Sequence, residues 1–230
     1  SSTAIGTNAD ALGSHSTALG NATDAEGLES TALGVKARAL ADYATATGSN
    51  SLATGQFATA NGYIANAAGR SATAIGANAD ALGDRSTAVG NATDATGLES
   101  SAFGVLAVAS GANSVAVGSG AKATDEDAVA VGDKALASGF HSTAVGGESV
   151  ASGRGAQAFG WQASATGASA LAVGRVSSAA FDNSTAIGVG ATTSRAGQVK
   201  LGGTGSSVTI GDIAASTAAQ SGTLSVATVD

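Results

Sequence analysis

The sequence predicts an all-β fold, a parallel β-roll (β-solenoid) wound in 14-residue coils, and three observations predict it. First, glycine recurs every 14 residues from Gly6 to Gly202 without one insertion: Gly6, Gly20, Gly34, Gly48, Gly62, Gly76 and onward in register. Second, Ala stands two residues before each of these glycines from Ala4 to Ala186, failing only at Lys200, and another Ala column follows five residues after, from Ala11 to Ala179, ending at Thr193. Third, each unit holds two five-residue runs of period-two alternation, such as Ser2–Gly6 and Ala9–Gly13, and that period belongs to strands. A helix with glycine at nearly every seventh position would lose about 1 kcal/mol at each.

The elements follow in order. Glycine closing each run is expected to supply the positive φ of a tight corner, in the register column and again seven residues later at Gly13, Gly27, Gly55, Gly69 and Gly83. That second column is broken at Ala41, Asp125, Phe181 and Arg195. Successive coils then stack as parallel strands, making a thin rod. A coil this narrow leaves room only for Ala, Gly and Ser between its two walls, which accounts for the Ala columns. A longer echo lies above the coil: Thr3–Gly34 returns as Thr73–Gly104, an offset of 70 residues, or five coils. Residues 1–202 make up the roll, and residues 203–230, where Gly211 falls off register, are expected to form a short C-terminal β-rich cap or connector that covers the last strand edge.

Composition agrees with a core of small residues and excludes several function classes. The 230 residues include 34 Gly, no Pro, Cys or Met, and only eight aromatics, so large interlocking side chains are scarce. A net charge of −7 with no Lys/Arg cluster argues against nucleic acid or an anionic membrane as partner. Without cysteine there is neither a disulfide framework nor a thiolate metal site, and no apolar run reaches the roughly 18 residues of a membrane-spanning helix. Opening directly on a repeat, the chain reads as a fragment of a longer protein, with any membrane anchor supplied by regions outside it.

The residue before each register glycine is larger and mostly apolar: Ile5, Leu19, Leu33, Ile75, Val89, Phe103, Val117, Val131, Val145, Phe159, Val173, Ile187 and Leu201. Alternation sends these thirteen side chains to the face opposite the Ala column, where a lone protomer would expose them along the whole rod. The stripe is therefore the expected self-association interface, with three-fold symmetry bringing identical stripes onto one axis. Thr47 and Asn61 interrupt it in adjacent coils, either as a polar ring that fixes register or, the favoured reading, as a splayed hydrated patch.

The runs Ser2–Gly6 (STAIG), Ser114–Gly118 (SVAVG) and Ser142–Gly146 (STAVG) resemble the Ser-Val-Ala-Ile-Gly repeats of YadA-like heads in trimeric autotransporter adhesins. The resemblance covers residues 1–202. It implies a left-handed parallel β-roll, a homotrimer, and display on the outer surface of Gram-negative bacteria, beyond the outer membrane. It also implies a host extracellular-matrix or cell-surface ligand, with bacterial autoaggregation as a further role.

Signs of chemistry are few. His15 and His141 sit in corners and read as solvated turn residues, Asp125–Asp127 reads as a charged turn, and Gly118-x-Gly120 lacks the strand-to-helix context of a phosphate loop. The serines fall in one structural column with no histidine in phase, so no catalytic role, cofactor or metal is expected. Sequons at Asn21, Asn91 and Asn183 read as incidental. Candidate outward ligand positions are Asp10, Asp24, Arg38, Asp80, Asp94 and Lys122, with corner residues Glu29, Asp84, Arg85 and Glu148. Two other classes compete: an ice-binding solenoid, suggested by the ladder Thr3, Thr17, Thr31, Thr45, Thr59, Thr73 and Thr87, and a polysaccharide-processing β-helix, opposed by the thin coil without a carboxylate or aromatic cleft.

Overall fold

A computed structural model describes residues 1–207 of the chain. The first thirteen coils each contribute one strand to each of two parallel sheets and the last two extend only the larger, giving fifteen and thirteen strands, and every strand pairs only with its equivalents one coil before and after. The larger sheet runs from Thr3–Ile5 to Val199–Leu201 and the smaller from Asp10–Ala11 to Ser178–Ala179. Pairing is offset by one coil throughout, Thr3 with Thr17, Ala4 with Ala18 and Ile5 with Leu19. The strands are only three and two residues long, shorter than the five-residue runs suggested, because the roll bends almost as soon as it straightens.

The core is Ala, with 39 alanines essentially inaccessible to water. Four inward columns supply the filling rather than the two evident from sequence. Besides the columns of Ala18 and Ala25, the residue three after the register glycine (Ala37, Thr23, Ser51) and the residue ten after it (Ala44, Ser16, Ser30) are buried. Buried Ser hydroxyls are reconciled with this core by back-bonding to the carbonyl three residues earlier: Ser16 to Gly13 at 2.7 Å, Ser100 to Gly97 at 2.7 Å and Ser149 to Gly146 at 2.8 Å. Ser30 and Ser86 lack this bond and keep a buried Oγ without a partner.

The corners correct one expectation. Register glycines do adopt positive φ, +128° at Gly76 for example, but the second glycine column does not. There glycine is required by contact: a methyl group on Gly83 would lie 1.9 Å from the carbonyl oxygen of Gly97 in the next coil. The left-handed residue instead falls two positions after each corner position of the two columns, glycine or not, where 24 non-glycine residues adopt it, including the β-branched Ile64 (φ 56°) and Val176 (φ 58°). All but Asn8 and His15 are held by an N–H bond to the preceding coil, as from Ala22 to the Thr7 carbonyl and from Glu29 to the Ser14 carbonyl. Hydrogen bonding thus continues around both corners, which offsets the cost of the backbone conformation. Of the region expected as cap or connector, residues 208–230 lie outside the described residues.

Candidate functional site

Sheet alternation places the stripe outside the roll. Ile5, Leu19, Leu33, Ile75, Phe103, Ile187 and Leu201 are 40–58% exposed, and Val89, Val117, Val131, Val145, Phe159 and Val173 are half-buried, shielded by neighbours in the column. Thr47 is half-buried and Asn61 exposed in the same column. The apolar surface continues around the adjoining corner through Val35, Tyr63, Ile64, Val105, Leu106, Trp161, Val176 and Val189, all exposed. Sequence reasoning missed this corner, because its residues look unrelated until the chain is laid out coil by coil. The threonine ladder lies on the same sheet two residues before the stripe, from Thr17 beside Thr31 to Thr73 beside Thr87.

Polar chemistry gathers on the smaller sheet and on the opposite corner. On that sheet Asp24 pairs with Arg38 at 3.3 Å, whereas in the second block Asp94, the counterpart of Asp24, stands between Asp80 and Val108, the latter in the place of Arg38. Burial first, and the Asp80 carboxylate second, push Asp94 above the usual carboxylate range. Asp10, Arg38 and Lys122 are exposed, and Asp24, Asp80 and Asp94 half-buried.

The opposite corner carries Asp84, whose Oδ1 accepts from the Arg70 N–H at 2.9 Å, and Arg85, which pairs with Glu99. Here a carboxylate caps the N–H of the equivalent residue one coil earlier, an arrangement repeated by Asp42 on Leu28 at 2.9 Å and by Asp182 on Ala168 at 2.8 Å. His141 is more than a solvated turn residue: its ring stacks on Phe140 with centroids 3.9 Å apart, and its Nε2 lies 3.1 Å from Asp127. His15 is exposed and bonds only its neighbour Ser14, at 3.1 Å. Glu148, on the apolar corner, accepts from Gln162 at 2.7 Å. Among the described residues no group of three His, Asp or Glu side chains is placed to share a metal ion.

Comparison with known families matches the YadA head domain repeat (2 copies) in successive segments, from residues 1–23 and 25–51 through 165–191 and 182–197. The chain belongs to the YadA head family. The 14-residue roll with its Ala-filled interior is thus the YadA head repeat built many times over. Among solved structures, the collagen-binding domain of the Yersinia adhesin YadA aligns at 23% identity over 96% of this chain and 82% of that one, with a TM-score of 0.24. No curated protein matches the chain.

Proposed function

We propose that this YadA head is the attachment end of a trimeric bacterial surface adhesin. Three rolls join along the stripe from Ile5 to Leu201, and the assembly is carried on the outer face of the outer membrane by regions beyond this chain. One observation carries the reading: an apolar stripe, interrupted only at Thr47 and Asn61 and flanked by an apolar corner, that no part of the described protomer covers. At about 1.5–3 kcal/mol for each large apolar side chain buried, such a stripe drives association strongly even after the entropy of joining is subtracted. Association along the stripe leaves the charged corner outward, where repeated side chains offer many weak contacts to a host matrix or cell surface, or to a neighbouring bacterium.

Sedimentation equilibrium on the 230-residue chain tests the assembly, with a trimer expected. Replacing Val117 and Val131 by Asp, which sets charges into the centre of the stripe, should shift that equilibrium toward monomer. A stable wild-type monomer rejects the arrangement. Attachment is tested by a binding screen against matrix proteins and intact cells, and failure to bind any of them rejects that part.

The threonine ladder favours one other reading, an ice-binding face. It stands in register over seven coils and then gives way to Ser101, Val115 and Val129. Since it shares its sheet with the stripe, a trimer joined there would cover it. Thermal hysteresis in the purified chain would favour ice binding, and its absence is expected.

A further inference from the structure

Two shallow cavities lie on the charged corner, and their difference is informative. The first, about 260 Å³, is lined by Arg70, Ser71, Asp84 and Arg85 and is satisfied internally, since Asp84 takes the Arg70 N–H and Glu99 takes Arg85. The second, about 290 Å³, is lined by Phe140, His141, Arg154, Gly155, Ala168 and Ser169. Here the next coil offers Ala168 where an Asp would stand, so the Arg154 N–H has no acceptor among the described residues, and the Arg154 guanidinium has no carboxylate partner among them. The guanidinium is instead held 5.0 Å above the Phe140 ring. Gly155, at φ 65°, has no side chain to close the space, and a methyl group there would meet only Ser169 Oγ at 3.9 Å.

We propose that this cavity binds the carboxylate of an acidic sugar. The molecule itself displays the seat: in three other coils a carboxylate oxygen lies 2.8–2.9 Å from the matching N–H. At Arg154 an external carboxylate takes that seat and gains a guanidinium beside it, a charge-assisted pairing stronger than either bond alone. The acidic residues around the cavity are Asp182, whose Oδ1 accepts from the Ala168 N–H at 2.8 Å, and Glu126 and Asp127 one coil before Phe140, with Asp127 engaged by His141. A single sugar ring suits the space, which is at the small end for ligand pockets, and its hydroxyls reach Ser169. An extended acidic peptide suits it less, because the N–H groups of His141, Gly155 and Ser169 are spent on the coil-to-coil ladder and that of Ala168 on Asp182, which leaves those of Phe140 and Arg154 alone without an acceptor around the cavity among the described residues. The site gives a ligand chemistry to the attachment reading and rests on that reading for its biological use, and three copies in a trimer would multiply its affinity.

The test is titration of the 230-residue chain with a glucuronate-containing oligosaccharide, followed by NMR or calorimetry, beside the same oligosaccharide with its carboxylates methyl-esterified. The acid should bind and the ester should bind at least about tenfold more weakly, the loss expected from removing a charged hydrogen-bond acceptor. Ala168→Asp supplies the seat with an internal carboxylate, as Asp182 does for Ala168, and should abolish binding while leaving the fold intact. Ala112→Asp makes the same change under the Leu98 N–H, away from the cavity, and should leave binding unchanged. Arg154→Gln should weaken binding about tenfold. Equal binding of acid and ester, no binding of the acid, or wild-type binding by Ala168→Asp overturns the proposal. A glutamate-rich peptide that binds as well as the uronate overturns the assignment to a sugar. Uronate binding in a chain that adheres to no cell or matrix protein would reject the attachment reading and leave this site standing.

Discussion

A single methyl group separates the two kinds of glycine in this chain. Gly83→Ala forces a Cβ into the Gly97 carbonyl and should cost about 3 kcal/mol or more, because the backbone of the next coil must move. Gly190→Ala, with φ 66° and nothing within 4 Å, should cost only about 1 kcal/mol for the left-handed conformation. Thermal unfolding of both variants measures the difference. Serines divide similarly: Ser100→Ala loses a buried bond to the Gly97 carbonyl and should cost about 1 kcal/mol, whereas Ser86→Ala removes a buried hydroxyl without a partner and should be neutral or stabilising. Denaturant titration separates these outcomes. The Gly and Ala columns were legible in the sequence because one residue type holds a fixed spacing. The buried Ser and Thr columns were not, since a hydroxyl reads as outward until its bond to a carbonyl three residues back is seen. Left-handed corner positions were hidden for a different reason: nearly any side chain is accepted there, so no residue type marks them.

Strand pairs show what the 70-residue duplication kept and what it lost. Asp24 retains Arg38 one coil on, but in the second block Arg38 has become Val108, and Asp94 faces Asp80 with no cation beside it. Burial first, and the Asp80 carboxylate second, raise the Asp94 carboxyl in the folded chain, so the folded state holds its proton to higher pH than the unfolded state does. Its contribution to stability is favourable at low pH and is lost as pH rises through the raised value. Asp94→Asn should accordingly stabilise the roll at neutral pH and flatten the dependence of unfolding midpoint on pH just above the ordinary carboxylate range. Val108→Arg should recover part of the same gain by restoring the pairing of the first block, less than about 1 kcal/mol since such pairs are partly exposed. The stripe was readable at this scale from alternation alone. The Phe140–Arg154 cavity was not, because its members are pairs drawn from three successive coils and share no motif.

The whole molecule inherits its character from sheets in which a strand meets only the coil before and the coil after. No layer binds one end of the roll to the other, so stability accumulates coil by coil as in other solenoids. The apolar stripe obeys the same repeat, and so does its interruption at Thr47 and Asn61, where the axis of the proposed assembly would turn polar for two coils. Asn61→Val should leave trimer register and stability unchanged if that stretch is splayed and hydrated, and should alter register if the polar groups form a ring. Crosslinking of single cysteines placed along the stripe reads the register.

Excising residues 73–142 would join Ala72 to Thr143 with every glycine still in phase, shortening the bristle by five coils without disturbing the fold on either side of the splice. Reach, for such a molecule, is an integer: it changes only by whole coils, while the chemistry at each corner can change one residue at a time.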